Sequence, residues 1–254
     1  MKRLSSSLII LLLSISPITN ADWLMDYYKN PTPDAFVSEV NYLSKSGVLS
    51  DPKHKQTISV FSSRVLASNA DQTIKWMKEL EHLNKQDMEP VFYAVWLSDT
   101  KESKEYLKSI GATKALDTKP TDFLQVPIDN PNTLDALWAY FFATGQKEPI
   151  RRIVSALNNE EHSGALELYK TSKKTEEDKQ NAILDSIFMS ARWSLESNIK
   201  QYPGVGDICG DIFKDKSLTN SEKLWLGVVL RKALPDKYKM SQTEPGQWTV
   251  QTLN

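Results

Sequence analysis

Residues 134–157, LDALWAYFFATGQKEPIRRIVSAL, contain two helical patterns separated by a turn signal. Apolar side chains recur at the spacing of one helix face, first at Leu134, Leu137, Trp138, Phe141 and Phe142, and again at Ile150, Ile153, Val154 and Leu157. Gly145 is typical of a helix end, and Pro149 fits the first turn of the next helix, where its missing N–H is not needed. The stretch predicts an αα-hairpin whose aromatic first helix lies in the core.

Similar hairpin patterns occur earlier in the chain. LASNADQTIKWM from Leu66, WLSDTKESKEYL from Trp96 and FATGQKEPIRRI from Phe142 share an order of bulky residue, small residue, polar turn and charged helix. Their offsets, 30 and 46 residues, differ, whereas a strict repeat keeps one period. We therefore predict an all-α, single-domain fold over residues 22–238, an irregular array of helical hairpins that is solenoid-like and only loosely tetratricopeptide-like.

Helix starts are predicted where a capping side chain precedes an apolar stripe. The predicted caps are Thr32, Asn69 with Gln72, Asp99 with Glu102, Thr175 with Asp178, and Thr219 with Glu222. A long helix is expected through Ala182 and Ile199, ending before Pro203. Residues 239–254 show no helical period and are expected to form a loosely ordered tail.

The N-terminus has the pattern of a secretory signal peptide. Lys2 and Arg3 precede an apolar run, a helix-breaking Pro17 and the small residue Ala21, after which we expect cleavage. The alternative is an uncleaved anchor, but the run is short for the ~20 residues of a spanning helix. The sequence thus predicts a periplasmic or extracellular protein with no integral membrane segment after cleavage.

Composition limits the classes of partner. Without residues 1–21 the chain keeps 29 basic and 32 acidic residues, so it has no excess positive charge for nucleic acid or an anionic membrane. Cys209 is the only cysteine, so an intramolecular disulfide is impossible and stability must come from helix packing.

Two segments have more than one interpretation. The aromatic segment from Trp23 to Tyr28 either docks on the core or forms an exposed contact site. Residues 112–131 contain three prolines and cannot form one helix, so they are either a binding loop or a connector held by Phe123 and Val126, with a possible subdomain break.

No motif indicates a catalytic, cofactor or metal site. Zinc-protease, nucleophile-elbow, phosphate-loop and dinucleotide signatures are missing. The glycine cluster at 204–210 is either a backbone-lined pocket with Asp207 and Asp211 as ligands for a hard cation, or a tight link between helices. We expect Cys209 to be a buried, inert thiol, since no activating residue lies near it in the sequence.

The segments WLMDYYKNPTPDAFVSEV from Trp23 and LDALWAYFFATGQKEPIRRIVSAL from Leu134 resemble those of uncharacterised exported helical proteins of Gram-negative bacteria. The resemblance covers most of the mature chain and implies an exported helical domain. It transfers no activity and no site residue.

The sequence therefore predicts an exported interaction module without an enzymatic activity or a cofactor. A groove between hairpins would take up a segment of a still unknown protein partner, or a small ligand. One alternative is a small hydrolase or metal-dependent enzyme assembled only in three dimensions, for which the candidate residues are Asp117, Asp122, His162, Asp207 and Asp211. A secreted effector is the other alternative.

Overall fold

The computed structural model describes residues 21–171, 175–244 and 247–253. Over these ranges the chain forms twelve α-helices and one two-stranded antiparallel sheet, which confirms the all-α class. The helices are α1 Ala21–Asp26, α2 Phe36–Lys45, α3 Lys55–Ser68, α4 Thr73–Glu79, α5 Lys85–Ser98, α6 Lys101–Ser109, α7 Asn132–Thr144, α8 Glu148–Ser155, α9 Ala165–Thr171, α10 Glu176–Gln201, α11 Pro203–Phe213 and α12 Asn220–Ala233. The strands are β1 Tyr238–Glu244 and β2 Gln247–Thr252.

Two helices are central to the packing. α3 packs against α5 and α7, while α10 packs against α9, α11, α12 and the 3-10 helix Ala156–His162. One contiguous apolar core includes residues from both groups. These contacts do not establish a solenoid, which stays a prediction. Among the described helices, none combines the length and apolarity needed to cross a membrane.

The predicted αα-hairpin is confirmed as α7 and α8. Gly145 ends α7 in the left-handed conformation (φ 68°), and Pro149 lies in the first turn of α8. Every apolar residue on which the prediction rested is buried, and Phe141 is completely buried. Its ring contacts those of Tyr28, Trp138 and Phe142.

The N-terminal aromatic segment docks on this core. The ring of Trp23 meets that of Phe61 edge to face at 5.1 Å, and Tyr28 lies 4.8 Å from Phe141 between ring centroids. The indole N–H of Trp23 donates to the hydroxyl of Thr32 at 3.0 Å. The signal peptide predicted for residues 1–21 lies outside the described residues, apart from Ala21.

Two of the five predicted caps form as capping boxes, and the other three lack the predicted side-chain hydrogen bond. Thr175 with Asp178 and Thr219 with Glu222 each exchange both hydrogen bonds of the box. Thr32 occupies the N-cap position of the 3-10 helix Pro33–Ala35, which leads into α2, but its side chain makes no capping hydrogen bond and accepts the Trp23 indole N–H. Asn69 lies at the N-cap position of the 3-10 helix Ala70–Gln72 and also ends α3, but its side chain makes no capping hydrogen bond and its amide donates to the Val65 carbonyl at 2.8 Å.

At the start of α6 the capping residue is Thr100 rather than Asp99. The Thr100 hydroxyl accepts the backbone N–H of Ser103 at 3.1 Å. Asp99 lies one position earlier in the left-handed conformation (φ 54°), so its side chain turns away and pairs with Lys104 at 2.7 Å.

Residues 112–131 form a connector fixed to the core, as one of the two interpretations predicted. The Trp96 indole N–H donates to the Ala115 carbonyl at 2.7 Å. The Arg152 guanidinium donates to the carbonyls of Phe123 and Val126, at 2.6 and 2.5 Å. The Phe123 ring is buried. The possible subdomain break stays a prediction.

The predicted link at 204–210 is wrong, because this segment is part of α11. Pro203 occupies the first turn, and Val205, Cys209 and Ile212 bury one face. A helix-interior glycine costs about 1 kcal/mol relative to alanine, and burial of an apolar side chain contributes about 1.5–3 kcal/mol. The free energy gained by burying this face therefore exceeds the cost of having glycines within the helix.

The described C-terminal residues form two strands, which the sequence analysis did not predict. Instead of a loose tail, β1 and β2 pair as a hairpin, with Met240 opposite Val250. A two-stranded hairpin alone is marginal in water, and here both strands pack against α12. Tyr238 and Val250 supply the apolar contacts to the helices, so tertiary packing stabilises these strands.

A buried ion pair joins α8 to α12. Arg151 donates to both carboxylate oxygens of Glu222, at 2.9 and 3.2 Å. The Glu222 side chain is only 3% exposed, and it also accepts hydrogen bonds from Asn158 and from the Thr219 backbone. Each of the two carboxylate oxygens therefore accepts hydrogen bonds from groups within the fold.

Candidate functional site

An open cleft of about 680 Å³ lies between α11, α12 and the C-terminal hairpin. This volume is within the range of small-molecule sites, about 300–1,000 Å³. The helices and strands contribute equally to its wall, whose residues are Gly210, Phe213, Lys214, Lys223, Tyr238, Thr249, Val250 and Gln251. The cleft therefore exists only where the hairpin meets the helices.

Two glycines allow the hairpin to approach the helices. A Cβ atom at Gly227 would lie 3.2 Å from Cβ of Val250 and 3.3 Å from the Phe213 ring, and it would overlap a Val250 methyl group. A Cβ atom at Gly210 would overlap the Tyr238 hydroxyl. The absence of side chains at these two positions thus fixes where β1 and β2 lie, and with them the shape of the cleft.

The charged residues of the cleft wall are both lysines. Lys214 forms an exposed ion pair with Asp211 at 3.0 Å, and that carboxylate holds the pKa of Lys214 above its usual value. Lys223 forms no ion pair with any described residue, and its ammonium lies 5.8 Å from the centroid of the Phe213 ring. No carboxylate is among the described residues of the wall. Asp211 partly neutralises Lys214 from outside the wall, so the cleft's attraction for a negatively charged occupant comes mainly from Lys223.

The remaining polar groups can orient such an occupant. Burial raises the pKa of Tyr238, an effect that the charge of Lys214 opposes, so the phenol is protonated near neutral pH and can donate a hydrogen bond. Gln251 adds an exposed amide, and Phe213 and Val250 add apolar surface. The wall suits a ligand with both an anionic and an apolar part.

The residues proposed for an enzyme lie in three separate regions. Asp117 and Asp122 belong to the connector, His162 ends the 3-10 helix Ala156–His162, and Asp207 and Asp211 lie on α11. Asp207 and Asp211 pair with different lysines, Lys237 and Lys214, rather than sharing a cation. Over the described ranges, no group of three or more His, Cys, Asp or Glu residues is arranged to hold a metal ion.

The structure confirms that Cys209 is buried. Burial raises the pKa of its thiol to about 12, and only the thiolate reacts readily. We expect the native protein not to react with a thiol-specific disulfide reagent near pH 8, and to release one equivalent of chromophore after unfolding in denaturant. Full labelling of the native protein within minutes would contradict a buried thiol.

A second, smaller cavity of about 270 Å³ lies between α5, α6 and the connector, and Asp117 contributes to its wall. The Asp99–Lys104 ion pair lies within the same wall. Its charged groups are of both signs and are partly paired with one another, so this cavity shows no preference for one charge of ligand.

Arg192 and Trp225 form a further polar contact, between α10 and α12. The guanidinium lies 4.2 Å from the centroid of the indole ring. In the described part of the chain, Arg192 Nε and Trp225 Nε1 are buried and lack hydrogen-bond partners. Because both atoms are covered, we interpret the pair as a packing contact rather than an open site.

The sequence indicated only the part of the main cleft that lies near the glycine cluster, and it did not indicate the rest of the wall. Gly210 of the glycine cluster is in the wall, but Asp207 and Asp211, the predicted ligands, are not. Lys214, Lys223, Tyr238, Thr249 and Gln251 were not predicted. A usable signal was present in the tail, where Tyr238 and Met240, then Trp248 and Val250, alternate with polar residues on either side of Pro245-Gly246.

In comparisons with known proteins, no protein-family model, no curated protein and no solved structure matches this chain. The resemblance to exported helical proteins of Gram-negative bacteria stays a prediction. Any function must therefore be argued from the cleft itself.

Proposed function

We propose that this protein is an exported binding protein that takes up an anionic ligand in the cleft between α11, α12 and the C-terminal hairpin. The observation that carries the proposal is the charge of the wall. Lys214 and Lys223 face a cleft whose described wall residues include no carboxylate. The part of the proposal that the protein is exported rests on the signal-peptide pattern of residues 1–21.

The proposal replaces the expected groove between helical hairpins with a site that the structure describes. The side chains of Trp138, Phe141 and Phe142 on α7 are buried in the core and are not available to line a groove. The described wall of the cleft offers two lysine ammonium groups, a tyrosine hydroxyl and a glutamine amide, which can bind an anion through charge and hydrogen bonds. Phe213 and Val250 provide the apolar contact that would accompany the charge interaction.

The test is a titration with 8-anilinonaphthalene-1-sulfonate, a fluorescent probe with an anionic and an apolar part. We expect saturable binding to the full-length mature protein. The double variant Lys214→Ala, Lys223→Ala should weaken it at least about tenfold, because about 1.4 kcal/mol of lost charge interaction is a factor of ten in Kd.

The matched control removes two lysines elsewhere. Lys45 on α2 and Lys78 on α4 are exposed and lie outside the wall, so Lys45→Ala, Lys78→Ala makes the same change in net charge. Binding in this control should equal that of the wild type. Equal dissociation constants for all three proteins would overturn the proposed function.

A further inference from the structure

The cleft lies along the free edge of β2. Neighbouring residues of a strand point to opposite faces of the sheet, and Val250 packs toward the helices, so Thr249 and Gln251 point to the other face. All three residues line the cleft, while Met240 and Ser241, their neighbours on β1, do not. Tyr238 of β1 is also in the wall, but it lies opposite Thr252, beyond this stretch. We infer from these positions that the cleft reaches the unpaired edge of β2 at residues 249–251.

The hydrogen-bond pattern shows which backbone groups face this edge. The Leu253 N–H donates to the Lys237 carbonyl at 2.8 Å, so residues 237 and 253 are a bonded pair. In an antiparallel ladder, hydrogen-bonded pairs alternate with non-hydrogen-bonded pairs. The next hydrogen-bonded pairs are therefore Lys239–Gln251 and Ser241–Thr249. Val250 therefore sits in a non-bonded pair, and its N–H and C=O point away from β1, toward the cleft.

An open strand edge is a template for a further strand, and peptides commonly bind proteins by adding one. Here the edge lies beside Lys214 and Lys223, which favours a segment with acidic side chains. A second copy of this chain is a poor match, because β2 reads QWTVQT and has no acidic residue. Edge-to-edge pairing of two copies would also bring the lysines of both together.

We infer that the ligand is an acidic, extended segment of a partner protein that adds a third strand to β2. Its main chain bonds the N–H and C=O of Val250, and its carboxylates pair with Lys214 and Lys223. This inference rests on the proposed function and specifies the ligand class of the same cleft. The two can fail separately, as the following experiment shows.

The probe is an acetylated and amidated heptapeptide of alternating valine and glutamate, titrated into the full-length mature protein. We expect binding that weakens at least about tenfold in Lys214→Ala, Lys223→Ala and when lysine replaces glutamate in the peptide. Amide hydrogen exchange followed by NMR should show the Val250 N–H protected at least about tenfold by the peptide, since it gains a hydrogen bond.

Two N-methylated peptides provide a matched pair. Only alternate residues of an added strand point their N–H groups at β2. One peptide is N-methylated at its odd-numbered residues and the other at its even-numbered residues. We expect one of the two to lose binding and the other to retain it. If the peptide bound through charge alone, without strand pairing, the two methylated peptides would bind equally well.

Three outcomes would overturn the inference. They are equal binding of the two methylated peptides, an unchanged exchange rate at Val250, and no binding up to on the order of 1 mM peptide. If the sulfonate probe still depended on Lys214 and Lys223, the proposed function would stand. Protection of Val250 without peptide, together with a dimer in sedimentation, would show that a second copy occupies the edge.

Discussion

Replacing Phe141 with alanine is expected to lower the free energy of unfolding by about 3–5 kcal/mol, the usual cost of truncating a buried phenylalanine. The Phe141 side chain is completely buried and contacts three other rings. Its position joins the N-terminal segment, through Tyr28, to α7. Equilibrium unfolding in urea, followed by far-ultraviolet circular dichroism, measures the change.

The control for this variant is Trp193→Ala on α10. The Trp193 side chain is 49% exposed, and substitutions at exposed positions usually change stability by about 0.5 kcal/mol or less. A large effect at Trp193 with none at Phe141 would show that the α7–α8 hairpin is not the centre of the core.

Removing Arg151 is expected to cost about 3 kcal/mol, because it leaves the buried Glu222 carboxylate without its cation. Loss of one partner of a buried ion pair typically costs about 3–5 kcal/mol, and the lower value applies here because the Arg151 side chain is 31% exposed. The urea midpoint of Arg151→Ala should fall with an unchanged slope.

A second substitution separates charge from packing. Adding Glu222→Gln to Arg151→Ala should recover part of the loss, because glutamine is neutral and can still form the capping box with Thr219. Glu222→Gln alone should destabilise, since it weakens the pair with Arg151. A double variant less stable than Arg151→Ala alone would contradict the expected cost of an unpaired charge.

The parts of the fold that the sequence predicts correctly are those specified by local rules. The spacing of Leu134, Trp138 and Phe141 identified α7, because helical period places these residues on one face. The capping boxes at Thr175 and Thr219 formed because the required partner lies three residues away in the chain.

Predictions failed where distant residues competed with the local rule. Thr32 has the sequence of an N-cap, but Trp23 donates to its hydroxyl. The glycines of α11 predict a link, yet the helix forms because one of its faces is buried against the core. The packing of the C-terminal hairpin on α11 and α12 uses the space at Gly210 and Gly227, whose role is visible only when the hairpin is in place.

The residues of the cleft show the same limit of prediction from local sequence. Asp207 and Asp211 drew attention because they are close in sequence to the glycines, but they lie on the exposed side of α11. Lys214 and Lys223 come from the end of one helix and the start of another, and Thr249 and Gln251 from β2. Their convergence is a property of tertiary packing, and no spacing in the sequence encodes it.

The position of the hairpin in the chain has a consequence for biosynthesis. The twelve helices of the described ranges precede β1 and β2, so a ribosome, or a translocation channel that passes the N-terminus first, releases these helices before the strands that complete the cleft. The core can thus be packed while the strand edge does not yet exist. The cleft, and any ligand binding in it, can therefore form only after both strands have been synthesised.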